Sequence, residues 1–293
     1  MLSRGQKLSI YKLSALLSVV RWYNIFLLAV AQYLAVIFIL SDPKNWLDTV
    51  LHFNLHLIVF ASLFCIAGGF IINNFYDVEK DLINRPEQTL YQKQVKQATY
   101  LRLYFLFNTI GVLLAALVSF NVFLFFSGFV FLLWIYSHRL KKITFIGNVT
   151  AAVLSVMPFF AIFVYYHLED LLIITYSSFI LLVIFIREVI KDLEAQKGDV
   201  ILGYNTMPVR WGVYRTKWII VLVAASGIFP AVAIFYKTNF TGISWYILVG
   251  GIGVLISLGM LFLADKKKHY HYLNNIYKAL IIAGIFGLML FAI

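Results

Sequence analysis

Residues 57–72, LIVFASLFCIAGGFII, run straight into residues 73–81, NNFYDVEKD. The first stretch is apolar throughout and long enough to make most of a membrane span. The second is crowded with acids and amides. Acids at a helix end can simply be a solvated face, so this junction points first to the fold. An apolar helix leaves lipid here with oxygen groups at its end.

Composition agrees. The chain has 293 residues, 62% hydrophobic and only 13% charged, where a soluble domain carries about 25% charged residues. Apolar runs recur along nearly the whole length, which indicates transmembrane helices rather than one soluble core. A β-barrel needs strict apolar–polar alternation, which is absent. The basic opening, MLSRGQKLSIYKLSALLSVVRWYN, lacks an uninterrupted apolar core and a small-residue cleavage site, so no removed signal peptide is expected. The single Cys65 lies in an apolar run and excludes an internal disulfide.

The apolar windows are 22–40, 56–76, 100–117, 119–136, 146–166, 170–188, 218–237, 242–264 and 277–292. They predict an all-α polytopic membrane protein, a single domain over residues 1–293. Pro158 and Pro230 fall inside windows and are expected to kink them. The glycines of ILVGGIGVLISLG suit close helix contact better than a phosphate loop, since no strand precedes them. Basic residues set the orientation. With the N-terminus inside, the outer connections hold only Lys44 and Lys237, and every other one of the 24 Lys and Arg residues falls on the inner side. The expected protein therefore sits in the cytoplasmic membrane, N-terminus cytoplasmic and C-terminus outside. This asymmetry explains the net charge of +11 without nucleic acid and suits anionic headgroups.

Two inner connections are long, roughly 77–99 and 189–217, and both begin with acids. Asn73, Asp77 and Asp81 stand four residues apart, within about 80° on one helical face. In REVIKDLEAQKGD, residues 187–199, Glu188, Asp192 and Asp199 fall within about 40° if the helix continues. Two such stripes on the same side of the membrane are a stronger signal than either alone. Like charges held close are costly unless a cation joins them. Hard oxygen donors suit Mg2+ rather than zinc, and Mg2+ prefers to share its shell with phosphate oxygens. The ligand expected from the residues is a metal-bridged diphosphate.

These motifs resemble the UbiA superfamily of intramembrane prenyltransferases. Asn73 to Asp81, followed by Asn84-Arg85-Pro86, is similar to that family's first acidic box and its N-R-P. Asn74 departs from the pattern, where aspartate is usual. Arg187-Glu188 and Lys191-Asp192, with Gly198-Asp199 and Thr206-Met207-Pro208, resemble the second box of the digeranylgeranylglyceryl phosphate synthase branch. Arg21-Trp22-Tyr23-Asn24 resembles R-P-x-N without its proline, and Tyr136-Ser137 through Leu140-Lys141, then Gly147-Asn148, resembles Y-S-x-x-L-K…G-N.

The resemblance implies nine helices around a central apolar cavity open to the cytoplasmic side. It implies Mg2+-dependent transfer of a prenyl group from an isoprenyl diphosphate to a lipophilic acceptor. Asn73, Asp77, Asp81, Glu188, Asp192 and Asp199 would hold Mg2+ or its waters. Arg85, Lys141 and Lys191 would contact diphosphate, Tyr136 and Asn148 would orient the leaving group, and Arg21 and Asn24 would approach the acceptor or the metal. Asp77, Asp81, Asp192, Lys141 and Tyr136 form the catalytic set. Membrane lipids are expected partners; an obligate protein partner is not.

The best acceptor by resemblance is a geranylgeranylglyceryl phosphate-type lipid, the alternative an aromatic quinone precursor. A carrier using the boxes for cations is the competing class, but its charges belong near mid-membrane, and these cluster at one face. A scaffold that only binds lipid would leave the boxes dispensable. His52 and His56, spaced i, i+4, lack a nearby third ligand and read as interfacial; KKKHYHYL, residues 266–273, reads as an anchor.

Overall fold

A computed structural model describes residues 4–41, 45–166 and 171–292. Lys44 and the first position of the window at 170–188 lie outside the described residues, which hold helices and no strand. In order these are α1 (Arg4–Val20), α2 (Trp22–Ala35), α3 (Trp46–Val50), α4 (Phe53–Asn84), α5 (Pro86–Gln92), α6 (Gln97–Val118) and α7 (Phe120–His138). Then follow α8 (Ile146–Tyr166), α9 (Leu171–Ile201), α10 (Met207–Trp211), α11 (Val213–Ser226), α12 (Ile228–Thr238), α13 (Ser244–Leu263) and α14 (Lys267–Gly287). Among the described residues nine helical stretches are long and apolar enough to cross a membrane.

The chain divides into two compact units, Met1–Ala29 with Phe53–Arg139, and Val30–His52 with Leu140–Ile293. In the first unit α4 packs against α1, α5, α6 and α7. Its core joins Ala15 and Val19 of α1 to Ala67, Ile71 and Ile72 of α4 and to Tyr100 and Tyr104 of α6. In the second unit α9 packs against α8, α10, α11, α12 and α14, and Ile186, Val189 and Ile190 are enclosed on all sides. The two box-bearing helices are the most buried of the nine stretches: 67% and 61% of their apolar windows are covered, against at most 39% elsewhere. Each unit is thus built around the helix that bears its acidic box. In lipid this close packing rests on dispersion and small-residue contacts rather than on a hydrophobic drive.

Most window ends agree within a few residues, and Ser119 separates the third and fourth, its hydroxyl accepting from Val122 N at 3.3 Å as an N-cap. The long connections differ. They are largely helical, because α4 runs on to Asn84 and α9 to Ile201. Charged Glu and Lys are good helix formers, so the backbone ladder continues where apolar character stops. α4 is about 48 Å long, well beyond a hydrocarbon core of about 30 Å. It ends where Pro86 disfavours helical geometry at Arg85, and Pro86 then opens α5. The last window likewise starts earlier, at Lys267, so most of the anchor segment is the first part of α14.

Pro230 sits in the first turn of α12, just past a break at Gly227, where its missing N–H costs no helical bond. Pro158 stays inside an unbroken α8, and its carbonyl accepts from buried Gln32 Nε2 at 2.7 Å. Of the glycines in the α13 run, Gly253 meets another helix closely, at Leu280, whereas Gly251 and Gly259 face open space. His52 precedes α4 and packs on Tyr165, so it shares no helical face with His56.

Candidate functional site

Because α4 is continuous, Asn73, Asp77 and Asp81 form the stripe that their spacing predicts. Asn73 and Asp81 line a small recess in the first unit, together with Arg21, Arg85, Ser18 and Gln92. Asp77 stands between the first two on the same face. Asp81 experiences the like charge of Asp77 and the opposite charges of Arg85, Arg21 and Lys80. The Arg21 guanidinium also lies 5.2 Å from the centre of the Phe70 ring. Arg21 joins α1 to α2 with φ of 53°, a left-handed conformation disfavoured for a side chain of its size, and its carbonyl accepts from Asn24 N at 2.8 Å. Asn24 therefore follows Arg21 through the turn. Tyr136 is half-buried in the last turn of α7. Nearby, His138 stacks on Trp134 and meets the ring of Tyr76, the neighbour of Asp77.

Asn74 has a different task from its neighbours. Its Nδ2 donates to Gln92 Oε1 at 2.9 Å, tying α4 to α5. The departure from the family pattern thus falls on a residue engaged in packing.

The second unit positions its box through α8, α9 and the turn before α10. Glu188, Asp192 and Asp199 share one face of a continuous α9. Asn148 Nδ2, buried on α8, donates to Asp192 Oδ2 at 2.7 Å. Glu188 accepts from Lys191 Nζ at 2.6 Å and from Arg187 at 3.5 Å. The expected roles of Glu188 and Lys191 are therefore coupled: a cation on one or an anion on the other must divide an existing ion pair. Asp199 is fully buried. Its Oδ2 accepts from Thr206 Oγ1 at 3.2 Å and its carbonyl accepts from Tyr204 N at 2.8 Å, closing the turn into α10.

Lys141 belongs to the short turn Leu140–Lys142 ahead of α8. Gly147 permits this, because a Cβ there would stand 3.0 Å from Leu140 O and 3.1 Å from Lys141 Cα, both unyielding backbone. Asn205 N donates to Lys142 O at 3.1 Å, so the turn is fastened to the segment after α9.

Replacing Asn148 with alanine removes one bond that orients Asp192. We expect an activity loss of about 10- to 100-fold, the range for a residue that orients a metal ligand, with the required Mg2+ concentration rising and the thermal midpoint little changed. A Mg2+ titration of initial rates checks it; an unaltered titration refutes it.

Sequence spacing did not single out Gln92 and Ser18, whose meaning is a contact between helices distant in sequence. Nor did it show Glu194, buried and held by His271 Nδ1 at 3.0 Å and Asn274 Nδ2 at 3.1 Å. Helical geometry does place Glu194 well off the Glu188–Asp192–Asp199 face, and that signal was available in the sequence.

Among the described residues no three His, Cys, Asp or Glu side chains are grouped to hold a metal by themselves. Few protein oxygens per box fit Mg2+, which keeps waters and phosphate oxygens in its shell, and do not fit a closed zinc site.

The family model described as UbiA prenyltransferase family matches residues 29–277. The digeranylgeranylglyceryl phosphate synthase of Thermococcus gammatolerans is 28% identical over 236 residues, covering 80% of this chain and 83% of its own. A solved structure from work on digeranylgeranylglyceryl phosphate synthase in membranes superposes with a TM-score of 0.69 at 20% identity, covering 95% and 99% of the two chains. A UbiA homolog from Archaeoglobus fulgidus, solved with DMAPP and Mg2+, gives 0.65 at 19% identity over 94% and 98%. These structural likenesses establish a shared fold.

Proposed function

Since the chain belongs to the UbiA prenyltransferase family and is an integral membrane prenyltransferase, we propose that it transfers the prenyl group of an isoprenyl diphosphate, with Mg2+, to a geranylgeranylglyceryl phosphate-type lipid. The observation that carries the diphosphate reading is the pair of continuous helices α4 and α9, which turn both acidic boxes into stripes of oxygen donors. Relatives that bear the digeranylgeranylglyceryl phosphate synthase name support the acceptor. The family match decides against a carrier.

In this reading Asn73, Asp77, Asp81, Glu188, Asp192 and Asp199 hold Mg2+ and its waters, Asp199 acting from inside the fold. Bound Mg2+ supplies charge neutralisation for the departing diphosphate. Arg21, Arg85, Lys141 and Lys191 bind its oxygens, and donors placed for charge that develops on departure lower the barrier more than uniform binding does. Asn148 aims Asp192, while Tyr136 and Asn24 orient the reacting groups. Water would quench the allylic cation before the acceptor could capture it, so the apolar helices must keep water out while they dissolve the isoprenoid tail. Aromatic ring faces suit that cation. An apolar interior reached from the cytoplasmic side, with the N-terminus cytoplasmic, completes the proposal.

The test is to incubate purified protein and Mg2+ with geranylgeranyl diphosphate and a panel of acceptors, and to identify products by mass. We expect an ether product with geranylgeranylglyceryl phosphate. A prenylated aromatic acid with no ether product overturns the acceptor assignment; diphosphate carried across vesicles unconverted overturns the reaction.

A further inference from the structure

Gln92 closes α5, whose N-cap is Arg85 seven residues earlier, and it bonds to three other helices of the first unit. Its Oε1 accepts from Asn74 Nδ2 on α4, its Nε2 donates to Ser18 Oγ on α1 at 3.2 Å, and its carbonyl accepts from the Tyr100 hydroxyl on α6 at 2.9 Å. The preceding residue repeats the tie to α1, with the Tyr91 hydroxyl donating to Ser14 Oγ. Gln92 is buried, with 7% exposure, although the rest of α5 is mostly exposed. A seven-residue helix does not hold itself in water. Its position depends on these ties and on Pro86.

Two of the three ties end near residues that the proposed function assigns to the ligand. Asn74 adjoins Asn73. Ser18 lies one turn before Arg21, whose left-handed φ of 53° persists only where its surroundings hold it. Arg85 stands at the other end of α5. Arg21 and Arg85 line one recess with Asn73 and Asp81, and Gln92 forms part of its wall. Two guanidinium groups from different helices bind one polyanion well only if their separation is set beforehand.

We propose that Gln92 is a positioning residue for prenyl diphosphate: it clamps the end of α1 and the whole of α5 onto α4, so that Arg21 and Arg85 face one recess with the first box. This rests on the diphosphate reading of that box. Gln92 touches no reacting atom. Its loss disperses the two guanidinium groups in the free protein, so binding weakens while turnover of bound substrate changes little.

The test is calorimetric titration of geranylgeranyl diphosphate with Mg2+ into the full chain in nanodiscs, alongside steady-state rates. Gln92→Leu keeps the volume and removes both side-chain bonds. We expect its Kd and KM to rise about tenfold with kcat within about twofold, equivalent to about 1.4 kcal/mol of binding. Tyr100→Phe, which loosens the backbone tie but spares the amide, leaves Kd within about twofold. In an Arg85→Ala background the further effect of Gln92→Leu shrinks below about threefold, because the group it positions is gone. Should Gln92→Leu fail to fold, Ser18→Ala cuts the α1 tie alone and is expected to raise Kd about threefold. An unchanged Kd in the folded variant, or a full tenfold effect persisting without Arg85, overturns the inference. Wild-type protein that binds no prenyl diphosphate with Mg2+ overturns the diphosphate reading and the inference with it.

Discussion

Asp77→Ala abolishes turnover while leaving the protein folded: we expect kcat to fall about a thousandfold, comparable with removing a principal stabiliser of charge developing in the transition state. Asp77 occupies the middle of the α4 stripe, four residues from both Asn73 and Asp81, so no neighbour on that face can replace it. Asp192→Ala should show a similar loss, and it also strands the Asn148 amide that now donates to Asp192. Transfer of label from prenyl diphosphate in membranes, across a Mg2+ series, measures both. Partial recovery at high Mg2+ is expected, since a weakened site still fills by mass action. Turnover within threefold of wild type in either variant removes that box from the site.

Gly111→Leu has the largest expected effect on stability. A Cβ at Gly111 would stand 2.5 Å from Cys65 Sγ and 3.1 Å from Ala61 O. Cys65 is fully buried and the carbonyl belongs to the backbone of α4, so neither can withdraw far. One turn earlier on α6, the Asn108 side chain fills the space where a Cβ on Gly68 would fall, within 2.7–2.9 Å. The two helices therefore interlock, each through a glycine. In lipid such contact has no hydrophobic drive behind it and depends on backbones approaching closely. Alanine at 111 should cost about 1–3 kcal/mol, the range for overpacking, and leucine more, seen as a lower unfolding midpoint in nanodiscs. Activity falls too, because α4 bears the first box. Cys65→Ala should restore much of the loss in Gly111→Ala. An unchanged midpoint in Gly111→Leu refutes the packing argument.

The number of spans, the all-helical class and the two acidic stripes were legible because they rest on local regularities. An apolar run of membrane length and a donor every fourth residue declare themselves within one segment. The helix ends were less legible where apolar character stops before the backbone ladder does, as at Asp77 to Asn84 and at Asp192 to Ile201. Gly227 breaks the seventh stretch three residues before Pro230, since an early proline tolerates a helix start.

The chain's order by itself determined which residues supply oxygen donors, on which helical faces, and that those helices belong to a membrane. It did so because helical periodicity and the demand of lipid for internally bonded backbone act residue by residue. Only the tertiary structure decided what holds the donors in place: Asn148 on Asp192, Thr206 on Asp199, and Gln92 between Asn74 and Ser18. The bonds of Asn148 and Gln92 join different helices, over 18 to 74 residues of chain, where a polar side chain reads the same whether it meets a partner or water, and packing alone chooses between the two.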